Sequence, residues 1–334
     1  MAPLMRAAPD ESYEAPAPVD FSGVAGPIDL DVSWIHGHPA HRGDTDPPIQ
    51  VHSVDPHTFI LRQSKAAHPE APFMYLLFGN DRALLLDTGA TPDAAAFPLR
   101  ATVDSLVDDW VARYPRMTHE LVVAHSHSHG DHVAGDVQFA ARPKTVVVPT
   151  GADEVASFFG MASWPEDVVT FDLGGRALEI VGCPGHHPDA IAVYDPWTGF
   201  LLTGDTVYPG RLYVKDADMF VSSLARLVEF AAARRVTHLM GGHVEMTRRP
   251  RRDHPPGALY QPDEPPIQMA ADRLSAVADA VAIIGNRRGV FAFEDFIIVH
   301  RPGFGSMLNL VRRALGHRIG RLPGRILRAL PWPN

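Results

Sequence analysis

The chain has 334 residues, 46% of them hydrophobic, and a formal net charge of −9. That length and apolar content suffice for one large core, and the acidic balance argues against a nucleic-acid partner. A single cysteine, Cys183, excludes an intramolecular disulfide and suits a reducing, cytoplasmic setting; no apolar run nears the ~20 residues of a membrane span, and the first residues lack the apolar stretch of a secretory signal.

Residues 1–48 are rich in Pro, Ala and Asp without periodicity and are expected to form an extended N-terminal arm. The arm holds His36, His38 and His41, which read as a solvated loop rather than a metal site. The folded domain is expected over residues 49–305. Apolar runs at 73–78 and 83–86, separated by Asp81 and Arg82, predict a hairpin whose second strand ends in Asp87-Thr88-Gly89. The next run, Leu121-Val122-Val123-Ala124, leads into His127-Ser128-His129-Gly130-Asp131-His132. Imidazole is a neutral nitrogen ligand and a carboxylate a hard oxygen ligand for the same divalent ion, so this stretch reads as metal-ligating.

Three later segments repeat the form of an apolar strand followed by a turn with His or Asp. Residues 177–181 precede Pro184-Gly185-His186, residues 200–203 precede Gly204-Asp205, and residues 237–240 precede Gly241-Gly242-His243. Functional groups concentrate on loops held by a rigid sheet, and glycine there lets the backbone approach a bound ion closely. His125 and His187 flank the pattern and read as polar neighbours of the ligands. Cys183 reads as a small buried residue rather than a nucleophile.

Phe220, Leu224, Leu227, Val228 and Ala231 recur at helical spacing, with Asp216 and Asp218 at the positive helix end. Residues 247–266, dense in proline and charge, form a long irregular insertion of the kind that makes lids or substrate walls. A helix over 267–285 and a strand pair over 290–299 are expected to close the domain. The tail, 306–334, interleaves Arg312, Arg313, Arg318, Arg321, Arg325 and Arg328 with Leu310, Leu315 and Ile319 and holds no acid. A basic amphipathic segment of this kind suits a membrane surface, its own domain or another subunit of a homo-oligomer. The alternation of strands and helices gives an α/β class.

In kind, order and spacing these residues resemble the metallo-β-lactamase-fold superfamily. Its HxHxDH motif is matched by His127, His129, Asp131 and His132, its later ligands by His186, Asp205 and His243, and its first motif by Asp87, usually a carboxylate beside the metals rather than on them. The resemblance implies a four-layer αββα sandwich and two divalent ions, zinc by default, with iron or manganese also suited to these ligands. It implies that His127, His129 and His186 hold one ion and Asp131, His132 and His243 the other. Asp205 would bridge them, and a metal-held hydroxide would be the nucleophile. By the same analogy Asp131 orients that nucleophile and moves its proton. Tyr208 stands at the offset where superfamily lactonases carry a tyrosine, which makes it an oxyanion donor or an aromatic wall.

The implied function is a dinuclear metal hydrolase of a small ester, lactone or thioester, as in lactonases and glyoxalase II enzymes. Phosphodiesterase chemistry stays open through the Gly130 variant of the motif, as do a class B β-lactamase-like hydrolase and a mononuclear iron sulfur dioxygenase. The region after His243 departs from the helical domain that holds glutathione in glyoxalase II proteins. Substrate contacts come from variable loops, so a small-molecule substrate is expected without being identified.

Overall fold

The computed structural model describes residues 17–40, 44–116, 118–305, 308 and 312. Two six-stranded sheets face each other. The first contains β1 (Ile49–Asp55), β2 (Thr58–Gln63), β3 (Phe73–Phe78), β4 (Arg82–Leu86), β5 (Glu120–Ala124) and β6 (Thr145–Val147) in that spatial order. The second contains β7 (Val168–Asp172), β8 (Ala177–Gly182), β9 (Ile191–Asp195) and β10 (Phe200–Gly204), then β12 (His238–Gly241) and β13 (Gln268–Ala270). A third, three-stranded sheet joins β11 (Arg211–Val214), β15 (Ile297–His300) and β14 (Gly289–Ala292), with β15 central.

Strand periodicity explains the layering, because alternate side chains leave a strand on opposite faces. In β3, Phe73, Tyr75 and Leu77 enter the core between the two sheets, while Met74, Leu76 and Phe78 turn outward. The outward set meets α1 (Leu99–Arg113) through Leu99, Val103, Val107 and Trp110, a stripe at helical spacing. In the second sheet, Phe200 and Leu202 of β10 face the inter-sheet core, and Leu201 faces the helical layer of α4 (Ala217–Ala232) and α5 (Arg273–Ile284). Strands covered on both faces read as continuous apolar runs rather than alternating ones. Each fully buried Leu or Phe contributes roughly 1.5–3 kcal/mol. The result is the expected αββα order: α1, first sheet, second sheet, α4 with α5.

Several expectations change in detail. The hairpin joins β3 to β4 in antiparallel register. Helix α4 buries Phe220, Leu224 and Leu227 as expected, adds Ser223 and Phe230, and leaves Val228 and Ala231 half-buried at its edge. Asp216 caps it, its carboxylate accepting from the Met219 N–H at 3.0 Å. The helix expected over 267–285 does not begin at 267. Residues 268–270 form β13, antiparallel to β12, and α5 starts only at Arg273. The apolar residues Ile267 and Met269 alternate there with Gln268, a strand period that the following helix hides. The expected pair over 290–299 exists as β14 and β15, but β15 also runs parallel to β11.

The arm residues that are described lie against the body. Phe21 is buried between the rings of His57 and Trp197, and Trp34 stands edge-on to Phe73. Among the described residues no helix is long and apolar enough to cross a membrane. His41 and nearly all of the 306–334 tail lie outside the described residues.

Candidate metal centre

Parallel pairing gathers the functional turns at one edge. β4 and β5 run parallel with Leu86 opposite Ala124, so Asp87 and the His127 segment emerge side by side. β10 and β12 run parallel with Gly204 opposite Gly241, which does the same for Asp205 and His243. Three bonds tie the two sheets at this edge: Tyr75 OH to Gly241 O at 2.6 Å, Phe73 N to Gly242 O at 2.8 Å, and Ile191 N to Ser126 O at 2.8 Å.

Local backbone then aims each side chain. His129 is the extended residue before a one-turn helix, α2 (Gly130–Val133), so His127 and His129 point from extended chain and Asp131 and His132 from the helix. Gly204 has φ +48°, and a Cβ there would stand 2.5 Å from Ser126 Cβ. A Cβ on Gly242 would lie 2.8 Å from Asp205 Oδ1 and 2.9 Å from His132 Cε1. Only glycine admits these approaches.

The seven expected ligands meet in one cluster. His129 Nδ1 lies 2.8 Å from His127 Nε2 and 3.0 Å from His186 Nε2. His243 Nε2 lies 3.2 Å from His132 Nε2 and 3.3 Å from Asp131 Oδ2. Asp205 sits between the two groups. Its Oδ2 is 3.6 Å from His186 Nε2, and its Oδ1 is 3.6 Å from both His132 Nε2 and His243 Nε2. Three overlapping sets, His127/His129/His186, His127/His132/Asp205 and Asp131/His132/His243, bring their ligand atoms within 4.8 Å of one another.

The outer ring nitrogens show what the inner ones need. His132 Nδ1 donates to Asp87 Oδ2 at 2.9 Å, His186 Nδ1 to Tyr213 O at 3.0 Å, and His243 Nδ1 to Glu70 O at 3.2 Å. Each acceptor fixes the proton on Nδ1 and turns an Nε2 lone pair inward. His132 and His243 thus point their Nε2 atoms at each other, 3.2 Å apart, an arrangement that asks for a cation, a proton or a metal ion, between them. Asp205 Oδ1 is buried with no hydrogen-bond partner among the described residues. The spacings bracket the ~3.3 Å expected between nitrogens sharing a tetrahedral ion with bonds of about 2.0–2.1 Å. The donor set fits divalent metal ions.

Electrostatics agree with that geometry. Burial pushes His127 down and His186 to about 4, so both imidazoles are neutral and ligand-competent. Burial also disfavours charge on His132 and His243, but Asp87 and Asp205, with Asp131, outweigh it and raise both, His243 to about 9. The field at the second group favours positive charge. Burial raises the Asp205 carboxyl, yet His243 and His132 bring it to about 2.

Asp87 does not face the cluster directly. Held at φ +71°, it accepts from Ser126 N at 2.7 Å and Ser126 Oγ at 2.9 Å as well as from His132. His125 turns away, 2.9 Å from Asp136 Oδ1. His187 bonds Asp189, which also accepts from Ser128 N at 3.2 Å and Gly151 N at 3.0 Å and so fixes the loop beside His129. Cys183 is fully buried and burial pushes its thiol up to about 12, which fits a packing residue. His36 and His38 bond backbone carbonyls of their own segment.

The cluster floors a cleft of about 280 Å³. Its wall is β11, where Leu212 and Val214 face the core while Arg211 and Tyr213 face the cleft. Tyr208 lines the cleft, but its hydroxyl donates to Arg211 O at 2.6 Å, with Glu245 Oε2 at 3.1 Å. Arg211 bonds Glu245, Asp253 Oδ2 at 2.7 Å, His254 O at 2.9 Å and the Tyr213 hydroxyl at 3.2 Å. Through Asp253 and His254, and through the Arg62–Glu264 pair at 2.6 Å, the 247–266 insertion is pinned to the body and places Pro256 on the cleft. Glu70, Ser126, Asp189, Tyr213 and Glu245 were not singled out by the sequence. Glu70 acts on His243 through its backbone, which carries no side-chain signal, while Asp189 stands three residues after His186 and was within reach of inspection.

The profile of the "Metallo-beta-lactamase superfamily" matches residues 69–280, more than half of the chain, and the chain belongs to that superfamily. A hydroxyacylglutathione hydrolase of Synechococcus sp. strain JA-3-3Ab is 34% identical over 122 residues, 35% of this chain and 48% of the relative. The human acyl-coenzyme A thioesterase MBLAC2 is 24% identical over 203 residues, 51% of this chain and 72% of the relative. The chain spans about half the length of the hydroxyacylglutathione hydrolases it matches. Among solved structures, a metallo-β-lactamase from Pontibacter korlensis aligns with a TM-score of 0.46 at 16% identity, covering 70% of this chain and 99% of that one.

Proposed function

We propose that this member of the metallo-β-lactamase superfamily is a dinuclear metal-dependent hydrolase of small-molecule thioesters. The observation that carries the reading is the pair of inward-facing ligand groups with the Asp205 carboxylate between them, 3.6 Å from His132, His186 and His243. The thioester class follows from the relatives, whose names are hydroxyacylglutathione hydrolase and acyl-coenzyme A thioesterase.

His127, His129 and His186 would hold one ion, Asp131, His132 and His243 the other, with Asp205 shared. Zinc is the ion best suited to this nitrogen and oxygen set. Ions bound there would supply Lewis acidity toward the carbonyl and make water acidic enough to ionise near neutral pH.

The chain's own groups do the rest. Asp131, with 24% of its side chain exposed, faces the cleft as a proton acceptor. Burial raises its carboxyl, but His243 and His132 hold it well below the usual carboxylate range, so it is ionised. Water adds to the thioester carbon, the C–S bond breaks, and the proton from water reaches the thiolate to give a carboxylic acid and a thiol. Charge on the carbonyl oxygen needs a donor. The Tyr208 proton is engaged by Arg211 O, whereas the Tyr213 hydroxyl only accepts, from Arg211 Nε, and its own proton has no acceptor among the described residues. We therefore assign the donor to Tyr213 and give Tyr208 the role of fixing Arg211 and Glu245.

Purified protein with measured metal content, given 2-hydroxyacylglutathione, acetyl-coenzyme A, lactone, aryl ester, phosphodiester and β-lactam substrates, tests the class. Thioester turnover should dominate; turnover confined to any other substrate overturns it. Tyr213→Phe should lower kcat about 100-fold with little change in KM. Tyr208→Phe should mainly lower the melting temperature. The reverse pattern returns the donor to Tyr208.

A further inference from the structure

Lys65 is the most anomalous charged group outside the cluster. It lies in the loop between β2 and β3, is 2% exposed, and has no carboxylate within ion-pair distance among the described residues. Its neighbour Arg62 and the carboxylate of Glu264 satisfy each other with two bonds, at 2.6 and 2.8 Å. Among the described residues the ammonium of Lys65 makes one hydrogen bond, to Pro69 O at 3.0 Å. Burying a cation against a single carbonyl is unfavourable, and such a group is kept for what it holds in place.

What it holds is the turn carrying Glu70. Residues 64–72 fold back on themselves through Ala67 N and His68 N to Ser64 O, at 3.0 and 3.1 Å, and Gln63 N to Pro72 O at 3.1 Å. Pro69 and Glu70 form the far end of this turn. Lys65 draws the Pro69 carbonyl toward the protein interior, and the next carbonyl, Glu70 O, accepts from His243 Nδ1 at 3.2 Å. That acceptor decides which nitrogen of His243 carries the proton, and so whether Nε2 offers a lone pair to the cluster.

We propose that Lys65 is a positioning residue for the metal centre: by holding the Pro69 carbonyl it presents Glu70 O to His243 and fixes the imidazole in its ligand-competent tautomer. The proposal rests on the reading of His243 as a ligand. Burial, helped by the Arg62 cation, lowers the ammonium to about 8 against the carboxylates of Glu264, Glu70 and Glu245, which favour it. A lysine that merely stabilised the turn would leave the two ligand groups equally affected when removed; a positioning lysine acts on one.

Metal-free full-length protein, titrated with zinc ion in the presence of a competing chelator, should bind two ions, and Lys65→Met should weaken one about tenfold while leaving the other unchanged. Lys65→Arg, which keeps a cation and donors, should lose less. Nitrogen NMR of the histidine rings in the metal-free protein, at a pH high enough to leave the His243 ring neutral, provides the second readout. His243 should be protonated at Nδ1 in the wild type and divided between tautomers in Lys65→Met. Equal weakening of both sites, or wild-type affinities with an unchanged His243 tautomer, overturns the proposal. If the wild type binds no zinc, the metal reading fails, and the His243 tautomer alone still decides the role of Lys65.

Discussion

Arg176 with Asp195 and the His–Asp cluster bury charge at opposite ends of the same sheet, and they do so in opposite ways. Arg176 precedes β8 and Asp195 ends β9, while the cluster stands where β8, β10 and β12 end. All five guanidinium hydrogens of Arg176 are used: two on Asp195, two on the carbonyls of His57 and Phe78, one on Thr58 Oγ1. In the cluster, ring nitrogen faces ring nitrogen, and Asp205 Oδ1 has no hydrogen-bond donor among the described residues. A saturated buried charge locks one sheet to the other. An unsaturated one is built for something that arrives later.

The largest expected effect breaks the second half of that comparison. Asp205→Asn removes the shared carboxylate and should reduce hydrolysis more than 1,000-fold, roughly 4 kcal/mol of transition-state stabilisation. Its metal-free melting temperature should fall less than that of Arg176→Met, because Asp205 faces His132, His186 and His243 only at 3.6 Å. A variant that melts early yet still turns over substrate would place Asp205 in the structural class. Arg176→Met breaks the first half. Removing one partner of a buried pair costs about 3–5 kcal/mol, or on the order of 10 °C for a chain of this size, while zinc stoichiometry should be unchanged.

A pH series sharpens the same contrast with a smaller effect. Burial raises the Asp195 carboxyl, but Arg176 outweighs it and holds it below the ordinary value of 3.8. A carboxyl depressed in the folded state contributes stability that is present above its unfolded pKa and is lost as pH falls through the folded one. In Arg176→Met only hydrogen bonds such as those from Thr198 still oppose burial, the folded pKa rises, and this contribution is reduced. The stability difference between wild type and variant, measured by urea unfolding, should therefore shrink as pH falls below about 4. A constant difference across that range would mean that Asp195 is not ionised beside Arg176.

The sequence exposed the centre more fully than its surroundings. His127, Asp131, His186, Asp205 and His243 were legible because each stands where an apolar strand meets a turn, and the candidate ligand atoms are side chains. Their supports were not, because Glu70 and Tyr213 act on His243 and His186 through backbone carbonyls. Tyr208, by its offset from Asp205, reads as an oxyanion donor or an aromatic wall, and that offset carries nothing of the bonds its hydroxyl and that of Tyr213 make to Arg211. The strand at 268–270 was hidden by its length: three residues of alternation run straight into the apolar α5. The third sheet depends on β11 pairing in parallel with β15, about 80 residues later, and no local period carries such a pairing.

Metal stoichiometry tests the central claim most directly. Metal-free protein titrated with zinc ion, with bound metal counted by mass spectrometry after desalting, should take up two ions per chain, and Asp205→Asn should fail to retain the pair. One ion per chain in the wild type, or two retained by Asp205→Asn, would contradict a shared two-ion centre built around Asp205.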